Sequence, residues 1–88
     1  MRRSRRRPKV KVIARKLGRE RCIGLAVEED GKQTITFDPR QPERELLNTL
    51  AHEAIHLVDF DIPERKVIRL ANKVAAVLWQ QGYRRTKQ

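Results

Sequence analysis

The segment His52-Glu53-Ala54-Ile55-His56 is where residue types and spacing can do chemistry. On a helix, the i, i+4 spacing stacks both imidazoles on one face, close enough to share one ion. Glu53 then lies to the side, in reach of a metal-bound water rather than of the metal. Zinc lowers the pKa of such a water toward about 7, and a nearby carboxylate can take its proton as it attacks a peptide carbonyl. The chain has only two histidines in 88 residues. Roughly 2% of random pairings have this spacing, and the Glu after the first His makes the coincidence about two in a thousand. The plainer reading is two surface histidines on an amphipathic helix, so a third ligand decides.

Glu64 is the leading candidate. It falls on the apolar arc of the final helix, beside Ala71, Ala75 and Leu78, where a carboxylate is costly unless paired or bound to metal. A short turn near Phe60-Asp61 makes the two helices an antiparallel hairpin. Positions summing to about 121 then pair, which brings Glu64 level with Leu57 and next to His56. Two histidines, a glutamate and one open position form a catalytic zinc arrangement. Alternatively, Glu64 is only a first-turn acid favoured by the helix dipole. Asp59 competes with it, three residues beyond His56, either as a ligand or as the acceptor that orients an imidazole N–H. Asp61 reads as the N-cap of the final helix. The one tyrosine, Tyr83, can stabilise an oxyanion or serve a packing or surface role.

Stepping along the chain gives the elements that must hold these residues. From Lys9, Val10, Val12 and Ala14 alternate with Lys9, Lys11 and Arg15, a half-buried strand that Gly18 ends. A second strand runs from about Cys22 to Glu28, with Ile23, Leu25 and Val27 on one face and Cys22, Gly24 and Ala26 on the other. Asp30-Gly31 is a hairpin turn signal. Thr34 to Phe37 return as a third strand, with Ile35 and Phe37 toward the core. Pro42 can open a helix over Glu43 to Phe60. Its apolar half gathers Leu46, Leu47, Leu50, Ala51, Ala54, Ile55, Leu57 and Val58, opposite Thr49, His52, Glu53, His56, Asp59 and Phe60. A second helix starts near Pro63 and runs to about Gln81, ended by Gly82. The expected fold is α+β: a three-stranded antiparallel sheet, one strand plus a hairpin, followed by two antiparallel helices.

Composition bounds the function. The net charge of +10 resides in residues 1–21, with eleven basic side chains against Glu20, while residues 22–88 carry ten of each sign. A disordered basic arm over 1–8, one domain over 9–83 and a basic tail over 84–88 are expected. The single Cys22 excludes an internal disulfide and a zinc finger, and points to a reducing compartment. The arginine run has no apolar segment behind it to make a signal peptide, and no window is long and apolar enough to span a membrane. A cytoplasmic protein is expected, in the host cytoplasm if phage-encoded.

Leu50-Ala51-His52-Glu53-Ala54-Ile55-His56-Leu57-Val58-Asp59, then Ile62-Pro63-Glu64 and Val67-Ile68-Arg69-Leu70-Ala71, resemble minimal zincin metallopeptidases. The closer likeness is to small ImmA/IrrE-type metallopeptidases, including short phage-encoded members, over roughly Asp38 to Gly82. In that family two His and a Glu from the next helix hold zinc and the motif Glu is the base. The resemblance implies those roles for His52, His56, Glu64 and Glu53. Position 59 is Asp rather than the Gly of the metzincin extension. No third His is present, unlike the SprT-like group, and the His56-to-Glu64 spacing is shorter than in thermolysin-like enzymes.

The expectation is a zinc-dependent peptidase whose protein or peptide substrate lies along the sheet edge above the motif helix. Two rivals differ in class. The arm can bind nucleic acid or an acidic partner through residues 1–21, although aromatics are only 5% and no base-reading motif appears. A metal-binding regulator without peptidase activity is the other.

Overall fold

The computed structural model describes residues 9–18 and 22–85. Asp30 and Gly31 turn the chain at φ 52° and 78°, the two left-handed positions that a two-residue hairpin needs. They join β2 (Gly24–Glu29) to β3 (Lys32–Phe37). With β1 (Val10–Ala14), these strands form one sheet of order β1-β3-β2, followed by α1 (Glu43–Val58) and α2 (Glu64–Gln80). The α+β class and the strand-then-helix order are as expected.

The sheet is mixed rather than fully antiparallel. β1 runs parallel to β3, with Val12 opposite Ile35 and Ala14 opposite Phe37. Alternation specifies which side chains share a face and is silent on strand direction. Direction here follows from an anchor at the end shared by β1 and β3. Just past β1, the Leu17 side chain is fully buried and its N–H donates to Asp38 Oδ2 at 3.0 Å. Asp38 directly follows β3, and the Arg15 N–H continues the ladder to the Phe37 carbonyl (2.9 Å). Arg40 completes the clamp on Asp38, with its backbone N–H (3.0 Å) and Nε (2.9 Å) on Oδ1 and Nη2 on Oδ2 (2.6 Å). Those donors, the Arg40 side chain foremost, hold the Asp38 carboxyl well below the usual carboxylate range.

α1 lies between the sheet and α2. It packs on β2 and β3 on one side and on α2 on the other, and α2 packs on no described strand. Leu46 and Leu57 of α1 join Ile35 and Phe37 in one core, and Val67, Ala71 and Ala75 of α2 are buried as well. Because α1 has neighbours on only two sides, part of its apolar half stays open: Val58 is 82% exposed. Conversely, Thr49, on the polar half of the wheel, is buried. Neither helix has a side-chain N-cap; Pro42 and Pro63 occupy those positions, so Asp61 does not cap α2. Gly82 ends α2 at φ 89°, as a helix-stopping glycine should.

The basic arm over 1–8 and residues 19–21 lie outside the described residues. At the other end, Arg84 stacks on the Trp79 ring at 3.2 Å and donates to the Trp79 carbonyl, so the chain turns back on α2. No helix among the described residues is long and apolar enough to cross a membrane.

Candidate metal centre

The motif helix brings His52 and His56 onto the flank of α1 that opens between β2 and α2. Their rings are 5.0 Å apart, centroid to centroid, and inclined at 62°. The first turn of α2 delivers Glu64 to both. Its Oε2 lies 3.0 Å from His52 Nε2 and its Oε1 lies 3.1 Å from His56 Nε2. One donor atom from each of the three residues falls within a 4.8 Å cluster. Tetrahedral zinc with bonds of about 2.0–2.1 Å holds neighbouring ligand atoms roughly 3.4 Å apart. Two nitrogens and a carboxylate at this spacing are a borderline-soft donor set that fits zinc after small side-chain rotations.

Glu64 reaches the site by a different route from the one its position on the wheel implies. Its side chain is 60% exposed, so burial does not force it to find a partner. The hairpin geometry alone brings it there. Asp59, the competing carboxylate, is exposed at the end of α1. Its Oδ1 accepts the Asp61 N–H at 2.9 Å, a local turn, and it is not in the cluster. Tyr83 lines a separate groove with Leu46, Leu47 and Leu50, away from the histidines.

Glu53 points from α1 toward β2. Removal from water is the main cause that raises its carboxyl pKa, the two histidines oppose the shift, and Glu64 adds to it. A cation at the histidines would add to their lowering effect. The backbone of Gly24 runs directly against this part of the helix. A Cβ at position 24 would stand 2.6 Å from Thr49 Cγ2 and 3.1 Å from Glu53 Oε2. The small face of β2 is therefore what lets α1 approach the sheet closely enough to shelter the glutamate. Thr49 is held in turn: its hydroxyl donates to Gln41 Oε1 (2.6 Å), while Gln41 Nε2 donates to the Asp38 carbonyl (2.8 Å) and the Ile23 carbonyl (3.2 Å).

The cluster and Glu53 line a cleft of about 580 Å³, together with Gly24, Leu25 and Ala26 of β2 and with Phe60. The Phe60 ring is stacked against His56, nearly parallel at 15° and with centroids 6.2 Å apart. Phe60 and Gly24 are the site residues that the motif does not announce. Both left signals: Phe60 stands four residues after His56, and a glycine inside a strand marks a close backbone approach.

Comparison with protein-family models, with curated proteins and with solved structures finds no match, so the functional reading rests on the site itself.

Proposed function

We propose that the protein is a zinc-dependent peptidase in which His52, His56 and Glu64 hold the metal and Glu53 is the general base. One observation carries the reading: both histidine Nε2 atoms converge on a carboxylate from another helix, 3.0 and 3.1 Å away, with Glu53 alongside. Zinc, when bound, supplies a polarised carbonyl and an acidified water. Glu53 takes the proton of the attacking water and passes it to the departing amine. The sheet order leaves the outer edge of β2 unpaired among the described elements. An extended substrate can bond along that edge, over the residues that line the cleft. Phe60 and Ala26 give the cleft apolar walls that limit water around the reacting bond.

Glu53→Gln tests the reading, because it keeps the shape and removes the base. Zinc content should be unchanged, while cleavage of a quenched peptide library should fall by about a hundredfold or more. Retained cleavage would remove Glu53 from the mechanism, and zinc-free protein from a zinc-replete preparation would remove the metal. A metal-binding protein that cleaves nothing would share the zinc content and show no activity to lose.

A further inference from the structure

One face of the sheet has no layer over it among the described elements. The covered face is fixed by its contacts with α1. A Cβ on Gly24 would meet Thr49, Gln33 Nε2 donates to the Leu57 carbonyl at 3.3 Å, and Val12 borders a groove with Leu50 and Ala54. Side chains alternate along a strand, so Lys11 of β1, Lys32, Thr34 and Thr36 of β3, and Leu25, Val27 and Glu29 of β2 point to the other side. No helix packs there, because α1 takes the covered face and α2 packs on no described strand.

Charge divides this open face. Lys9 and Lys32 directly precede Val10 and Gln33, which are register partners, and Lys11 is the partner of Thr34. The three lysines are exposed, at backbone spacings of about 5–7 Å along and across the strands. None of them has an ion pair or a side-chain hydrogen bond with a described residue. Thr34 and Thr36 continue the lysine row with half-buried hydroxyls. The carboxylate of the face, Glu29, stands beyond Lys32 on β2, so the half formed by β1 and β3 is positive and the β2 margin is not. The chain enters the positive half from residues 1–8, five of which are arginine.

Regularly spaced ammonium groups backed by hydroxyls are the donors that hold phosphates in a row. A protein partner would need an apolar centre to its interface, and the lysine half offers only Ile13, which is half-buried. An anionic bilayer would meet Glu29 together with Leu25 and Val27, the apolar side chains of the face. A single strand would need rings to stack its bases on, and no side chain of this face is aromatic. We propose that the β1–β3 half of the open sheet face binds the phosphate backbone of a nucleic-acid duplex without reading its sequence, and that residues 1–8 extend that contact. This binding stands independently of the metal centre.

The test measures fluorescence anisotropy of two 20-bp DNA duplexes of unrelated sequence, titrated with the full chain at several salt concentrations. Both should bind equally, within about twofold. Lys11→Gln/Lys32→Gln removes two exposed cations from the face, so binding should weaken by about fivefold or more near 0.1 M salt. The slope of log affinity against log salt should become shallower by roughly 2. Lys66→Gln/Lys73→Gln removes the same charge from α2, on the far side of α1, and should bind as the wild type does. Glu29→Gln should bind as well or better. Undiminished binding by the Lys11/Lys32 variant, or an equal loss in the Lys66/Lys73 variant, would overturn the proposal. So would a tenfold preference for one duplex sequence, or tighter binding of phosphatidylserine vesicles or of polyglutamate through the same lysines.

Discussion

Gly24 and Glu53 are in contact across the strand–helix interface: a Cβ on Gly24 would lie 3.1 Å from both Cγ and Oε2 of Glu53. The same atom would lie 2.6 Å from Thr49 Cγ2, closer than carbon atoms tolerate, and Thr49 is buried and bonded to Gln41. Gly24→Ala therefore cannot be absorbed by rotating one free side chain. It should cost about 1–3 kcal/mol of stability by overpacking and turn the Glu53 carboxylate out of line. Thermal melts should show the loss, and cleavage should fall further than zinc binding does. An alanine variant with wild-type melting and activity would mean that β2 does not seat the base.

The ligand set predicts a separable pattern of zinc affinities. Glu64→Gln, which keeps the size and removes the charge from between the two Nε2 atoms, should weaken zinc by about tenfold or more. Asp59→Asn should leave affinity unchanged, since the Asp59 carboxylate is engaged with the Asp61 N–H. Competition against a chromogenic chelator measures both. The reverse order would make Asp59 the ligand.

If the metal is held by groups from two helices, it also ties α1 to α2. Zinc at about 100 times its dissociation constant should stabilise the fold by about 2.7 kcal/mol. For a domain of this size that is a rise in Tm of roughly 10 °C or more. The rise should vanish with a chelator and be absent in His56→Ala. A melting temperature indifferent to zinc in the wild type would detach the cluster from metal binding.

Much of this arrangement was legible in the sequence because it depends on local periods. The 3.6-residue repeat locates His52, Glu53 and His56 on α1, and a short turn after a helix must return the next one alongside it. That return brings Glu64 to His56 without any long-range information. Direction in the sheet was not legible. Val10, Val12 and Ala14 do share a face with Ile35 and Phe37, but alternation reads the same in either direction, and the anchor at Asp38 and Leu17 joins residues 21 apart. The extent of burial was not legible for a related reason. A wide apolar arc on α2 shows how much surface can be covered, whereas only its Val67, Ala71 and Ala75 side meets α1.

The Asp38 clamp predicts a pH dependence of stability whose sign follows from its lowered pKa. A carboxyl that is more acidic folded than unfolded contributes stability in full above its unfolded value, about 3.9, and loses it as the pH falls toward the folded value. Asp38→Asn keeps the size, but replaces one oxygen with a donor that faces either Arg40 Nη2 and the Leu17 N–H or the Arg40 backbone N–H and Nε. The variant should be less stable than the wild type near neutrality, since the parallel β1–β3 end loses its anchor. Below about pH 4 the gap should narrow, because the wild-type carboxyl is then losing the advantage that its charge provided. Comparing urea midpoints of the two proteins from neutral pH to about pH 2.5 isolates this group, as every other carboxylate titrates in both. A gap that stays constant with pH would mean that Asp38 acts through its shape alone, and one that widens in acid would contradict the clamp.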